Sequence, residues 1–196
     1  GSWYAGKQYD DYFLDEADHA PAGGDPVFNV TDILDNFGTE YPQWAAQGFE
    51  IAGFAWWQGH KDQNDVHAGL YERNMTNFIA KLRAYYENRY PGRVRPEAPF
   101  VLATIAFGGW NLSGAGLTVA EAQLAVSGDA GNYPENVGNV KTMEARGYWR
   151  DVGPSGQGHH YLHNAETYLL VGDALGRAMV GLLGGGPRID GIGPGA

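Results

Sequence analysis

The sequence predicts an α/β domain built on a parallel sheet. Two short, almost continuously apolar runs, residues 49–57 and 99–107, are each followed within two residues by glycine, which favours strands buried on both faces. Between them, residues 66–90 carry apolar side chains at helical spacing. Because strands that alternate with helices are typical of a parallel sheet, and because 196 residues suit one domain, we expect a single core.

Three further elements complete the predicted core. Thr118 is expected to cap a helix over residues 119–126, and residues 137–143 form a third, weaker strand. Asn164 is expected to cap a last helix that runs to Leu182. The apolar positions of that helix predict a buried stripe made of Tyr168, Gly172, Leu175, Met179 and Leu182.

The core is expected to span residues 48–183. Residues 1–47 lack clear periodicity and predict an irregular segment, with one short helix that begins at Thr31 or Asp32 and ends at Asn36. Residues 184–196 are rich in glycine and proline and predict a tail.

The charge balance of the chain disfavours two classes of partner. Thirteen basic and 23 acidic residues give a net charge of −10, whereas nucleic acids and anionic membranes attract basic surfaces. The absence of cysteine excludes disulfides, a thiolate nucleophile and cysteine-based zinc sites. No apolar run approaches the length of a membrane span and no leader peptide opens the chain, so the compartment stays open.

Ligands of open parallel sheets bind beyond the carboxyl ends of the strands. This rule selects three loops, residues 58–65, residues 108–113 and the loop that holds His159 and His160. Gln58 offers amide donors beside Gly59, a pair that can face a developing oxyanion, although Gln58 can equally satisfy loop backbone. A loop histidine can act as a general base near neutral pH.

A metal site is the rival interpretation of the histidines. His60, Asp62 and His67 are the residues that would join the histidine loop in holding zinc. Their spacing fits no standard zinc pattern, so we predict neither a metal nor another cofactor.

Residues 53–59, Gly-Phe-Ala-Trp-Trp-Gln-Gly, resemble the Trp-Gln-Gly block of the sialate O-acetylesterase-like branch of the SGNH hydrolases. The resemblance extends over roughly residues 48–179. It includes the strand at 99–104, a Glu-Ala-Gln helix at 120–125, and a closing block of Gly-His-His-Tyr at 158–161 followed by Asn-Ala-Glu-Thr-Tyr at 164–168.

The resemblance implies a three-layer, flavodoxin-like α/β/α sandwich and a serine esterase that removes acyl groups from sugars. By this likeness His160 is the general base and Gln58 an oxyanion donor, with Gly59 shaping the turn. The substrate-binding residues would be Gly59 together with His60, Trp57 and Trp110. A secreted or periplasmic location is plausible for such an enzyme.

The sequence departs from the family at the nucleophile and the acid. No Gly-Gln-Ser-Asn or Gly-Asp-Ser turn is present, so Ser113 is the best stand-in. The alternative is that the first strand of the sheet is missing. Its exposed edge would then pair with another copy of the chain, or be covered by the irregular opening segment or the glycine-rich tail. Gln157 occupies the usual position of the acid, which leaves Asp151 as the candidate, ahead of Glu144 and Asp62.

Two rival functions follow from these departures. A chain without its nucleophile would be a non-catalytic binding domain that keeps the hydrolase fold. A metal-dependent hydrolase built on the histidines is the second rival.

Overall fold

The computed structural model describes residues 30–184, and the expectations for residues 1–29 and 185–196 lie outside the described residues. Short 3-10 helices occupy many of the connections. In chain order the longer helices and the strands are α1 (Val30–Asp35), α2 (Phe37–Glu40), β1 (Phe54–Trp56), α3 (Asp65–Arg89), β2 (Phe100–Ala103), α4 (Gly114–Ala125), β3 (Val140–Met143) and α5 (Ala165–Leu182).

The three strands form a parallel sheet in the order β1-β2-β3, which confirms the predicted α/β fold. Phe100 of β2 pairs in register with Phe54 of β1 and with Val140 of β3. β2 is buried along its whole length because it lies in the centre of the sheet. The carboxyl ends of all three strands therefore lie on the same side of the sheet, which we call its carboxyl edge.

β1 is shorter and less buried than the sequence predicts. Only Phe54–Trp56 of the apolar run pair with β2, while Ile51 forms an isolated bridge with Val94. Ala55 is exposed, so the prediction of burial on both faces is wrong here. The reason is that, within residues 30–184, β1 forms an edge of the sheet and the side chain of Ala55 is left uncovered. Pairing of this edge with a second copy of the chain stays a prediction.

α3 confirms the long helix that the periodicity predicts. Asn64 caps it by accepting a hydrogen bond from the backbone amide of His67 at 3.1 Å. Most of the large side chains predicted for its inner face are buried, namely Tyr71, Met75, Phe78, Ile79, Leu82 and Tyr86. Tyr85, which the spacing places on the same face, is only partly buried. These side chains pack against β2 and α4 in the larger of two hydrophobic clusters.

α4 begins five residues earlier than predicted, at Gly114, and its N-cap is Ser113. Thr118 lies inside the helix, where its hydroxyl donates to the carbonyl of Gly114. Close packing explains the difference, since a Cβ at Gly116 would lie 2.7 Å from Oε1 of Gln63. Gly116 disfavours a helix in isolation, but its small size leaves room for the side chains of Gln63 and Leu112 beside α4.

α5 begins as predicted, with the side chain of Asn164 accepting a hydrogen bond from the amide of Thr167 at 2.9 Å. The predicted buried stripe is wrong by one position. Thr167, Val171 and Ala174 are buried, whereas Tyr168 is 43% exposed. Small and β-branched side chains face the sheet because α5 packs closely on β2 and β3.

Two hydrophobic clusters enclose the sheet. The larger cluster joins α3 and α4 to Phe100 and Leu102 of β2. The smaller cluster joins Ala103 to Tyr161 and to Val171 of α5. No helix between residues 30 and 184 combines the length and the apolar character needed to cross a membrane.

Candidate active site

A cleft of about 520 Å³ opens beyond the carboxyl ends of β1 and β2. This is the edge of the sheet that the rule for parallel sheets selects. Three chain segments and the first turn of α5 form its walls. The lining residues are Trp57, Gln58, Gly59, His60, Lys61, Ile105, Phe107, His159, His160, Tyr161 and Tyr168.

Gln58 and Gly59 form the floor of the cleft at the turn after β1. Gly59 is buried with φ of +147°, and a Cβ there would lie 2.7 Å from Cγ2 of Ile105. The turn therefore requires glycine. The side chain of Gln58 is half-buried, and its Nε2 donates to Oδ2 of Asp62 at 2.7 Å. The structure thus brings an amide group and a glycine to the cleft, as predicted.

His160 lies on the opposite wall, in the 3-10 segment Gly158–His163. Its backbone amide donates to the carbonyl of Gln157 at 2.9 Å, and the hydroxyl of Tyr168 donates to its carbonyl at 3.0 Å. The imidazole is exposed, and its centroid lies 4.2 Å from that of His159. His160 and Gln58 therefore line the same cleft.

An aromatic stack supports the segment that carries His160. The ring of Tyr161 is buried and stacks on Trp57 at 4.3 Å and on Phe107 at 4.6 Å. The indole nitrogen of Trp57 donates to the carbonyl of Thr104 at 3.2 Å, which ties the stack to the loop after β2. Trp57 thus serves as a wall of the cleft, in agreement with its predicted position.

Apart from the phenols of Tyr161 and Tyr168, the ionisable groups that line the cleft are basic. They are His60, Lys61, His159 and His160, and the acidic Asp62 lies behind them, fully buried. Burial lowers the pKa of His60, and the positive charges of His159, Lys61 and His160 lower it further. His60 lines the cleft, and its ring meets that of Phe107 edge-on at 5.3 Å.

Ser113 is outside the cleft lining. It is exposed at the N-cap of α4, because the chain runs from β2 through the 3-10 helix Gly109–Asn111 before it reaches Ser113. Ser127 is buried and accepts a hydrogen bond from the amide of Thr142, while Ser155 accepts one from the amide of Gln157. Within residues 30–184 no serine lines the cleft.

Asp151, the predicted acid partner of His160, is hydrogen-bonded to a different residue. Its exposed carboxylate accepts a hydrogen bond from the indole nitrogen of Trp149 at 2.7 Å, and none joins it to His160 in the described chain. Glu144, the weaker alternative, binds Arg146 and Thr104 instead.

Trp110 is the remaining predicted substrate contact, and it does not line this cleft. It is 67% exposed, and the guanidinium carbon of Arg146 lies 4.8 Å from the centre of its ring. A cation–π contact therefore accounts for its position on the surface.

The histidines do not assemble a metal site in the part of the chain that the structure describes. No three side chains of the types that bind metals approach closely enough there to hold an ion. Asp62 is bonded to Gln58, and Nδ1 of His67 lies 2.9 Å from Nδ2 of Asn64.

Five residues that line the cleft have no role that the sequence predicts. They are Lys61, Ile105, Phe107, Tyr161 and Tyr168. Lys61 lies inside the selected loop 58–65 and Phe107 immediately precedes the selected loop 108–113, so the loop rule gives their positions. Tyr161 and Tyr168 carried a weaker signal, because an aromatic residue near a helix start more often belongs to a core.

Comparison of the chain with family models, with curated proteins and with solved structures found no match.

Proposed function

We propose that the chain is a carboxylic ester hydrolase of the SGNH type, with its three-layer fold, that acts on acylated carbohydrate. One observation carries the proposal. Gln58 and His160 are distant in sequence, yet they line one cleft at the carboxyl edge of a parallel sheet. An amide donor and an imidazole base are the two groups that acyl transfer requires besides its nucleophile.

The proposed chemistry assigns one role to each group. His160 accepts the proton of a serine hydroxyl as the oxygen attacks the ester carbonyl. None of Ser113, Ser127 and Ser155 is proposed as this nucleophile, because none of them lines the cleft. The amide nitrogen of Gln58 stabilises the oxyanion that develops on the carbonyl oxygen. His160 then returns the proton to the leaving alcohol, and water releases the acid from the acyl-enzyme in a second round of the same steps.

The walls of the cleft support a sugar as the alcohol component. Trp57 and Tyr168 present aromatic surface, on which the apolar face of a sugar ring can pack. His60 and Lys61 supply donors for hydroxyl groups.

A binding domain without catalysis is the second candidate function. It is favoured by the cleft lining, which contains no serine in the chain between residues 30 and 184. Such a domain would bind acylated sugar without cleaving it.

Hydrolysis of 4-nitrophenyl acetate and of a peracetylated sugar tests the proposal. We expect the full chain to release acetate, and we expect His160→Asn to reduce kcat at least a hundredfold, within the range for a lost general base. His163→Asn is the matched control, because it removes an imidazole from the same segment but from outside the cleft lining.

A fluorophosphonate reagent identifies the nucleophile. We expect it to label one serine, which peptide mass spectrometry locates, and His160→Asn should slow the labelling. A chain that binds the acetylated sugar but neither hydrolyses it nor reacts with the reagent is the binding domain, and the esterase proposal is then wrong.

A further inference from the structure

Four basic side chains line the cleft without an acidic partner. They are His60, Lys61, His159 and His160, which we call the basic cluster. Elsewhere between residues 30 and 184, basic side chains form ion pairs, such as Arg89 with Asp35 and Arg150 with Glu166. In that part of the chain no ion pair includes a member of the basic cluster. A chain whose net charge is −10 thus keeps a cavity lined by basic groups.

The fold brings the three imidazoles of the basic cluster together from two distant segments of the chain. The ring centroid of His159 lies 4.2 Å from that of His160 and 5.4 Å from that of His60. All three side chains are exposed and line the cavity, so a ligand that enters it meets their rings. A carboxylate has two oxygens with about four acceptor positions, so it can accept hydrogen bonds from two neighbouring imidazoles.

The positive charges within the basic cluster oppose one another. Burial lowers the pKa of His60, and the positive charges of His159, Lys61 and His160 lower it further. A bound anion reduces this repulsion, because a nearby opposite charge favours the protonated imidazole. The other titratable groups around the cluster are two phenols, one more imidazole and one buried carboxylate. They are Tyr161, Tyr168, His163 and Asp62, and the carboxylate of Asp62 already accepts a hydrogen bond from Gln58.

We propose that the basic cluster is an anion subsite that holds a carboxylate in the cleft. The inference rests on the proposed function, which supplies two sources of a carboxylate, namely the acid that ester hydrolysis releases and an acidic group on the sugar. Hydrogen bonds from imidazolium and ammonium groups to a carboxylate are stronger than those between neutral groups. Because imidazoles gain charge between pH 8 and pH 5, the affinity of the subsite for a carboxylate rises as the pH falls.

Titration with sodium acetate, followed by nuclear magnetic resonance, tests the subsite without any need for turnover. We expect acetate to shift the imidazole resonances of His60 and His159, and to bind about fivefold more tightly at pH 5.5 than at pH 8.0 when the ionic strength is constant. Acetamide is the matched neutral ligand, and it should bind more weakly than acetate at pH 5.5. Equal affinities for acetate at both pH values, or for acetate and acetamide at pH 5.5, would overturn the proposal.

The pKa of His60 provides a second measurement on the same samples. Saturating acetate should raise this pKa, because the bound anion offsets the neighbouring positive charges that help to lower it. Imidazole resonances followed over pH 5–8 measure the pKa with and without acetate. If acetate leaves the pKa of His60 unchanged, no anion binds beside this imidazole and the proposal is wrong.

Two substitutions separate the contributions of histidine and lysine to the subsite. His159→Asn and Lys61→Gln should each weaken acetate binding about fivefold at pH 5.5, because each removes a positive charge from beside the ligand. Both side chains are exposed, so the buried core is unaffected. At pH 8.0 the effect of His159→Asn should be smaller while that of Lys61→Gln persists, because an ammonium group keeps its charge over this range and an imidazole does not.

Lys81→Gln is the matched control for Lys61→Gln. Lys81 is an exposed lysine of α3 that does not line the cleft, so its loss should change the affinity for acetate by less than about twofold at moderate ionic strength. A loss as large as that for Lys61→Gln would show that acetate responds only to the overall charge of the chain, and the subsite would then be wrong.

Acetate and glucuronate distinguish the two sources of the carboxylate. Similar affinities support the released acid as the ligand, whereas glucuronate that binds about tenfold more tightly than acetate supports an acidic sugar. A chain that binds acetate in the expected way but cleaves no ester contradicts the proposed function alone. A chain that cleaves esters but binds neither carboxylate contradicts the subsite alone.

Discussion

Gly59 shows how one residue can decide the shape of the cleft. Besides its contact with Ile105, a Cβ at this position would lie 3.0 Å from Cγ1 of Val119, and the backbone φ is positive. The short distances to a Cβ and the positive φ each disfavour any residue larger than glycine. The turn can therefore bring the main chain of β1 close to α4 only because residue 59 has no side chain.

Gly59→Ala should lower the free energy of unfolding by about 2–3 kcal/mol, from overpacking and from the strained φ. Urea denaturation measures this loss. Gly69→Ala on α3 is the matched control, because a Cβ there meets nothing within 4 Å. The control should stabilise the chain by about 0.5–1 kcal/mol. A neutral Gly59→Ala would contradict the close approach of the turn.

Residue-scale patterns explain why the sequence predicted part of the site. Gln58 and Gly59 stand directly after an apolar run, so the rule for parallel sheets locates them without coordinates. The sequence could not reveal that Asp62 is buried against Gln58, because His60, Lys61 and Asp62 form a polar stretch that is typical of a solvated loop. Burial of Asp62 depends on tertiary packing, which local pattern does not encode.

At the scale of elements, the segment Gly158–His163 holds an unusual backbone. Tyr161, Leu162 and His163 are consecutive residues with φ between 51° and 56°. Residues other than glycine rarely adopt this left-handed region. The stacked ring of Tyr161 and the bond from the Leu162 amide to the carbonyl of Gln157 at 3.1 Å hold it in place. The structure keeps this strain beside His160.

His163→Gly should raise the free energy of unfolding by about 1 kcal/mol, because glycine adopts a left-handed φ without steric cost. The side chain of His163 is exposed, so little packing is lost. Thermal denaturation measures the effect. A lower melting temperature would show that the imidazole itself stabilises the segment.

The sequence predicted which elements form better than it predicted where they begin. The side chains of Asn64 and Asn164 accept hydrogen bonds from backbone amides at the starts of α3 and α5, respectively, and so cap these helices. α4 has no such signal, since its Ser113 makes no side-chain cap bond and Gly114 and Gly116 disfavour helix. The side chain of Gln63 lies close to Gly116, and local helix propensity does not report such a tertiary contact.

At the scale of the whole molecule, the strand ends are joined by a charged cluster. Glu144 follows β3 and accepts hydrogen bonds from Thr104 after β2, at 3.1 Å, and from Arg146, at 2.6 Å to Nη2. Burial alone raises the pKa of Glu144. The hydrogen bonds from Arg146 and Thr104 outweigh burial and hold that pKa below its ordinary value of 4.5. Ionised Glu144 therefore stabilises the folded chain.

Glu144→Gln should lower the free energy of unfolding at pH 7 by about 1–3 kcal/mol, as expected for hydrogen bonds to a charged group. A depressed carboxyl pKa stabilises the fold above pH 4.5, and the stabilisation is lost as the pH falls through the lower folded value. The difference in stability between the wild-type chain and the variant should therefore shrink as the pH falls below 4.5. Urea denaturation over pH 3–7 measures the difference, and a gap that is constant with pH would contradict the ionic role.

The architecture of the described chain was predictable, whereas the composition of its cleft was predictable only in part. The spacing of apolar residues and the positions of glycine predicted a parallel sheet. The rule for ligand sites in such sheets then selected the loops that hold Gln58 and His160. The sequence selects Ser113 because it follows a predicted strand, and Asp151 because it lies near His160 in the sequence. In the folded chain Ser113 lies at the N-cap of α4, and Asp151 accepts a hydrogen bond from the indole of Trp149. Both are properties of the folded chain.

The stacking of Trp57 on Tyr161 supplies the cleft with an optical reporter of its own. The indole lines the cleft and its nitrogen donates to the carbonyl of Thr104, so a molecule bound in the cleft lies beside this fluorophore. Emission from this chromophore can therefore register occupancy without any attached label.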